Sequence, residues 1–227
     1  MIGLGLVTCG RRPYYEEARA AIEKHLPLDH FFVFEDGGEP YVPDSTGDGE
    51  NHGVGFAKNT LLRAMLDAGC DWLFLSEEDV VVDGPTAITG YIDAAEASGF
   101  GHLMFHAHGP ANPGPVSVGP VITLWPNYVG ADCLYSRAAL ETCGLMDEVF
   151  YNAWEHVEHS LRLSAAGFAP PSFGGADATG SEGWLHEIPG GISNPSIHKD
   201  QRWYDAFEAG KRHWLEMQPA TYHRVFG

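Results

Sequence analysis

Three consecutive acidic residues follow a short apolar run in this sequence. The run at 71–75 has the length and composition of a buried strand, and Glu77, Glu78 and Asp79 come just after it. In an extended backbone residues i and i+2 project to the same side, so we expect Glu77 and Asp79 to converge and Glu78 to point away. Mg²⁺ and Mn²⁺ prefer carboxylate oxygens together with substrate phosphates. The spacing allows a divalent-cation site, with a solvated acidic turn as the alternative.

A second set of chemically capable residues lies in an amphipathic segment at 154–165. Glu155, His156 and Glu158 are close together there, and histidine has an ordinary pKa suited to moving a proton near neutral pH. Glu158 and Arg162 are four residues apart, so a structural ion pair on one helix face is the alternative to a chemical role. The string E-H-V-E-H is neither H-E-x-x-H nor H-x-x-E-H, which disfavours a zinc hydrolase.

The elements that must position these residues alternate along the chain. Apolar runs and helical stripes predict strands over 2–8, 30–34, 71–75, 102–106 and 120–125, helices over 13–26, 57–68, 85–98, 154–165 and 201–217, and a long loop over 170–200. This alternation predicts an α/β fold with a mostly parallel central sheet flanked by helices. In such folds ligands bind beyond the carboxyl ends of the strands, where Glu77 and Asp79 would lie.

Composition limits the partners of the protein. The 227 residues, read as one domain, include 13 Lys and Arg against 31 Asp and Glu, a formal charge of −18. A surface of this sign disfavours nucleic acid and anionic membranes and attracts divalent cations. The sequence contains neither a signal-peptide pattern nor an apolar run long enough to span a membrane, so a cytoplasmic location is expected.

Several segments, taken in order, resemble GT-A-fold glycosyltransferases, and they are most similar to the nucleotide-sugar-dependent enzymes of glycosyltransferase family 2. They are Thr8–Arg12 (first loop), Phe34–Gly38 (nucleotide-binding turn), Asn51–Asn59 ("N-x-G-x-x-x-A-x-N"), Glu77–Asp79 ("D-x-D"), and Gly144–Glu148 with Trp154–Leu163 ("G-x-F-D-E … E-D-V-D-x-x-x-R"). The match spans roughly residues 2–168.

The resemblance implies one GT-A-like, Rossmann-like domain over 1–227, with a nucleotide-binding part at about 1–100 and an acceptor part at about 101–227. It implies metal-dependent transfer of a sugar from a nucleoside-diphosphate sugar, with UDP favoured, to an acceptor hydroxyl. The residues expected to bind the donor are Thr8, Arg11, Asp36, Asn51, Lys58 and Glu78.

For the cofactor, the resemblance implies Mn²⁺ or Mg²⁺ held by Asp79 and Glu77, with His198 as a late third ligand. The catalytic Asp of the family aligns with His156. The catalytic candidates therefore remain Glu155, His156 and Glu158, with no choice between the first two.

Two other functions are consistent with the sequence. A domain of this fold could bind sugar or nucleotide without turnover, as the change from E-D to E-H would allow. A sugar-nucleotide pyrophosphorylase is the other alternative, although Gly10-Arg11-Arg12 is short for a triphosphate-binding loop. The acceptor stays open among glycans, proteins and small molecules, with modified DNA less favoured, as do the oligomeric state and the stereochemistry.

Overall fold

The computed structural model describes residues 1–37, 45–106, 114–171, 174–191 and 201–217. Its central sheet begins with three parallel strands, β1 (Ile2–Thr8), β2 (His30–Glu35) and β3 (Trp72–Glu77). Two later strands complete it, β5 (His102–Met104) and the antiparallel β8 (Cys133–Ser136), in the order β2-β1-β3-β8-β5. The predicted α/β fold with a mostly parallel sheet is confirmed, since only β8 runs against the other four strands.

Helices cover the sheet. They are α1 (Arg12–His25), α2 (Val54–Asp67), α3 (Ala87–Ser98), α4 (Arg137–Cys143), α5 (Glu155–Ala165) and α6 (Gln201–Met217). Leu61 and Met65 of α2 pack on one core, while Tyr91 of α3 belongs to a second core with Leu4 and Leu6 of β1. Gly5 of β1 lets α2 approach closely, because a Cβ there would lie 2.8 Å from Cβ of Leu61.

Two small sheets flank the central one. β4 (Val80–Val82) pairs with β10 (Leu185–Glu187), and β7 (Ile122–Leu124) lies between β6 (Ser117–Val118) and β9 (Ala176–Ala178). A short 3₁₀ helix, Ser181–Gly183, joins β9 to β10.

The prediction of a loop over 170–200 is therefore wrong for its described part, because β9 and β10 lie within it. Strands of three residues are too short to show a two-residue period, and these two form only by pairing with β7 and β4. In the part of the chain that the structure describes, no helix is both long enough and apolar enough to cross a membrane.

Candidate functional site

Three strand ends meet at one edge of the central sheet. The parallel register pairs Thr8 with Glu35 and Val7 with Glu77, so β1, β2 and β3 finish side by side. The segments that follow these strands carry Arg11, Asp36 and the acids of the 77–79 run. The topology thus brings together three segments that are far apart in sequence.

Glu78 is buried and fastens the first loop to the end of β3. The hydroxyl of Thr8 donates a hydrogen bond to Oε2 of Glu78, and Nε of Arg11 donates to Oε1 at 2.6 Å. The expectation that Glu78 points away from the site is wrong. β3 ends at Glu77, so the side-chain alternation of an extended strand does not continue through Glu78 and Asp79.

Asp79 shares the Arg11 guanidinium with Glu78. Nη2 of Arg11 donates to Oδ2 of Asp79 at 2.9 Å, and the Arg11 side chain is 22% exposed. Burial alone would lower the pKa of Arg11, but the two carboxylates outweigh it and raise that pKa further. Oδ1 of Asp79 is buried and has no hydrogen-bond partner among the described residues.

Glu77 pairs with a different cation. Nζ of Lys58 lies 2.7 Å from Oε1 of Glu77, donates to the Gly130 carbonyl at 2.6 Å, and is 3.8 Å from Oε1 of Glu155. Burial of the Lys58 ammonium opposes its charge, but the two glutamates raise its pKa above the usual value. Lys58, expected to bind the donor, is 1% exposed and instead ties α2 to the ends of β3 and α5.

Asp36 and Asn51 shape the turn that leads into α2. The amides of His52 and Gly53 donate to the Asp36 carboxylate at 2.7 and 3.1 Å, and Nδ2 of Asn51 donates to the Asp36 carbonyl at 3.0 Å. Asn51 also accepts a hydrogen bond from the Tyr151 hydroxyl. Burial raises the pKa of Asp36, although the two amides oppose the shift. Both predicted donor-binding residues thus also hold the turn itself.

Glu155 and His156 form a hydrogen-bonded pair at the start of α5. Nδ1 of His156 lies 3.0 Å from Oε1 of Glu155, and Oε2 of Glu155 is buried without a partner among the described residues. Burial would raise the pKa of Glu155, but His156 and Lys58 outweigh it and lower that pKa to about 2. Glu155 is therefore an anion at neutral pH.

Glu158 makes the ion pair that its spacing allowed. Nε and Nη2 of Arg162 donate to its two oxygens at 2.5 and 2.8 Å, and Arg162 also donates to the Leu145 carbonyl at 2.7 Å. Because both carboxylate oxygens are engaged, the contacts of Glu158 fix α5 against the segment that precedes it. The pair supports a structural role for Glu158.

One site residue escaped the sequence analysis. Asp132 is fully buried just before β8, and neither of its carboxylate oxygens has a hydrogen-bond partner among the described residues. Burial raises the pKa of Asp132 well above its ordinary value, and the charges of Glu77 and Asp79 add to this shift. A single Asp without an acidic neighbour or motif carries no sequence signal, so only the fold brings it to this edge.

The chemistry of the site suits a hard divalent cation. Carboxylate oxygens are its preferred protein ligands, and the unpartnered Oδ1 of Asp79 supplies one. Within the described ranges, no group of three or more His, Cys, Asp or Glu residues is placed to hold a metal. His198, the expected third ligand, lies outside the described residues. Mg²⁺ commonly binds through one or two carboxylates plus substrate phosphates, and Asp79 fits that pattern.

Comparisons with known proteins give likeness in structure alone. No protein-family model matches the sequence, and no curated protein does. S. aureus TarS 1-349 in complex with UDP superimposes with a TM-score of 0.58 at 11% identity, covering 97% of this chain and 74% of that one. GalNAc-T7 with UDP, GalNAc and Mn²⁺ gives a TM-score of 0.59 at 10% identity, covering 83% and 44%.

A third solved structure, the mannosyltransferase PcManGT from Pyrobaculum calidifontis in complex with GDP-Man and Mn²⁺, gives a TM-score of 0.53 at 12% identity and covers 73% of this chain and 52% of that one. Against the longer TarS structure, this chain spans only 36% of the length. The chain therefore has the fold of GT-A glycosyltransferases, a class whose neighbours here were solved with UDP or a GDP-sugar.

Proposed function

We propose that the protein is a glycosyltransferase that moves a sugar from a nucleoside-diphosphate sugar, with UDP favoured, to an acceptor hydroxyl with the help of Mn²⁺ or Mg²⁺. One observation carries the proposal: Asp79 presents a buried, unpartnered oxygen beside Arg11 where β1, β2 and β3 end. Ligands of open α/β sheets bind at such an edge. Two of the three neighbours reported above contain UDP, which favours that nucleotide.

The residues divide the work by charge. Asp79, assisted by Glu77, would hold the cation, which when bound supplies positive charge to the departing diphosphate. Arg11 has a guanidinium that can meet phosphate oxygens, and it already lies against Asp79. Thr8, Asp36 and Asn51 would line the nucleoside side of the same edge. In this proposal residues 1–100 bind the nucleotide and residues 101–227 contact the acceptor.

The test is thermal unfolding in the presence of UDP-glucose, UDP-N-acetylglucosamine and GDP-mannose, each with and without Mn²⁺. A ligand that binds only the native state raises the midpoint, and at 100 times its Kd it adds about 2.7 kcal/mol of stability. We expect at least one donor to raise the midpoint of the wild type only when Mn²⁺ is present. Asp79→Asn should remove this shift, because it removes a charged ligand while keeping the side-chain shape.

Asp83→Asn is the matched control. Asp83 lies four residues further on, and its carboxylate is partly exposed and paired with His186 at 2.8 Å. This variant should keep the full Mn²⁺-dependent shift. An unchanged shift in Asp79→Asn, or no stabilisation of the wild type by any of the three donors, would remove the basis of the proposal. Binding without any release of diphosphate would favour the non-catalytic alternative.

A further inference from the structure

Four groups close a ring of contacts behind the proposed donor site. Lys58 contacts Glu155 and the Gly130 carbonyl, Glu155 contacts Nδ1 of His156, and His156 packs on Gly130. A Cβ at residue 130 would lie only 2.9 Å from Cγ of His156, so glycine is required for the imidazole to rest there. The His156 ring is therefore held from two sides.

The backbone ahead of the ring is strained. Ala153 and Trp154 have φ of 66° and 75°, and they are the only non-glycine residues with positive φ in the described part of the chain. Each such conformation costs roughly 1–3 kcal/mol and persists where surrounding contacts enforce it. The indole of Trp154 is anchored by a 3.1 Å hydrogen bond to the Phe207 carbonyl on α6. This turn places Glu155 and His156 in the first turn of α5.

The hydrogen bond selects one tautomer of His156. Since the Glu155 carboxylate can only accept, Nδ1 of His156 must carry the proton, and this leaves the lone pair on Nε2. The side chain is 21% exposed, and no partner of Nε2 lies among the described residues. A base must reach both its substrate and solvent, and Nε2 is the atom of this pair able to do so.

Glu155 is less suited to accept the proton itself. It is 3% exposed, its Oε1 is engaged by His156, and its pKa of about 2 makes it a weak base at neutral pH. The charged groups facing the pair are Lys58 from α2 and, beyond it, Glu77 from β3. Lys58 and His156 together keep Glu155 charged in its buried position.

We propose that His156 is the general base of an inverting sugar transfer and that Glu155 is the residue that positions it. This inference rests on the proposed function. Nε2 takes the proton of the acceptor hydroxyl while that oxygen bonds to the anomeric carbon. The bond from this carbon to the diphosphate oxygen breaks, and its electron pair leaves with the diphosphate. Attack from the face opposite the leaving group inverts the configuration.

The tautomer can be tested without any donor. Long-range ¹H–¹⁵N NMR of the imidazoles, with His156→Gln to assign the signal, should show a neutral ring protonated on Nδ1. Glu155→Gln should weaken this preference, because an amide can also donate to the ring. A wild-type ring protonated on Nε2 when neutral would overturn the inference.

Turnover tests the chemistry, with water as the acceptor and the three nucleotide sugars named above as donors in the presence of Mn²⁺. We expect His156→Gln to lower diphosphate release by about 10²–10⁴-fold while the donor-induced thermal shift stays intact. Glu155→Gln should cause a smaller loss and move the acidic limb of the pH–rate profile to lower pH, since the imidazolium loses its anionic partner. The first free sugar seen by NMR should have the inverted configuration.

His25→Gln, at the end of α1, is the matched control and should keep full turnover. A retained configuration, an unchanged pH profile in His156→Gln, or donor binding by the wild type without release of diphosphate at any pH would overturn the inference. A wild type that no donor stabilises would instead refute the proposed function, while the NMR result would still report on the pair.

Discussion

Buried carboxylates occur in two regions of this protein, and the two regions differ in how well the protein satisfies them. Asp177 on β9 receives the Tyr91 hydroxyl at 2.6 Å, the His106 amide at 2.9 Å and the Ser181 hydroxyl at 2.7 Å. At the candidate site, by contrast, Asp79 and Asp132 keep buried oxygens without a hydrogen-bond partner among the described residues. We call these regions the Asp177 centre and the strand-end acids.

The difference separates a structural role from a functional one. An unpaired buried polar group costs free energy, so a protein keeps one only where something compensates, such as a ligand. The Asp177 centre is complete by itself and joins α3, β9 and the 3₁₀ helix. The strand-end acids are incomplete by themselves, as a cation site is before its cation and substrate bind. Substitutions should therefore affect stability in one region and ligand binding in the other.

The largest stability effect is expected at the Asp177 centre. Asp177→Ala leaves three buried donors without their acceptor, and each loss costs about 1–3 kcal/mol. We expect the free energy of unfolding to fall by about 4 kcal/mol in urea titrations, with the Mn²⁺-dependent donor shift retained. A loss below about 1 kcal/mol would break the comparison.

Arg11 gives the next effect, with Arg12 as its neighbouring control. Arg11→Gln removes the cation shared by Glu78 and Asp79, which are almost fully buried, so we expect a loss of about 2 kcal/mol and weaker donor binding. Arg12 is 65% exposed and pairs only with exposed Glu16 on its own helix among the contacts described here, so Arg12→Gln should change stability by less than about 0.5 kcal/mol. Equal effects of the two variants in urea titrations would contradict this assignment.

The pH dependence of stability sharpens the comparison further. Burial raises the pKa of Asp177 to about 7, whereas an unfolded aspartate has a pKa of about 3.9. The folded state therefore binds the extra proton between these values, and this residue makes the free energy of unfolding fall as pH rises from about 4 to about 7. The slope is at most about 1.4 kcal/mol per pH unit.

Asp177→Asn should abolish that contribution, so the stability of the wild type relative to the variant should decline with pH over the same range. His102 and His159, whose burial lowers their pKa to about 4 and about 3, act with the opposite sign. They are present in both proteins and cancel in the difference. A difference that is flat from pH 4 to pH 7 would contradict the elevated pKa of Asp177.

The smallest effect is expected at Asp132, and it should be a gain. Asp132→Asn removes a buried carboxylate that lies near the charges of Glu77 and Asp79, so we expect the metal-free protein to gain about 1 kcal/mol at pH 8. Urea titration of the two proteins measures this. A loss of stability would show that the carboxylate is needed by the fold and that Asp132 belongs with the Asp177 centre.

Much of the fold could be predicted from local sequence patterns. The strands β1, β2 and β3 are apolar runs that end in polar residues, and α1, α2 and α5 carry apolar stripes with helical spacing. These periodicities are set by the few residues on either side, so the sequence shows them directly. The location of the acids at the ends of parallel strands follows from the same patterns.

The contacts made by each acid could not be predicted. Lys58 reaches Gly130, 72 residues away, and Arg11 reaches Glu78, 67 residues away, so these pairings depend on how the strands are ordered in the sheet. The end of β3 at Glu77 decided that Glu78 turns towards Arg11. Asp132 became part of the site only because β8 inserts beside β3.

The sequence by itself thus determined the α/β alternation, the edge at which acids collect, and the presence of Glu155 and His156 in one helical segment. Tertiary structure alone decided which carboxylates are neutralised, which keep an open oxygen, and that Glu155 holds the imidazole of His156. The physical reason is that periodicity reflects local backbone geometry, whereas charge pairing and burial depend on groups that only the folded chain brings within a few ångströms.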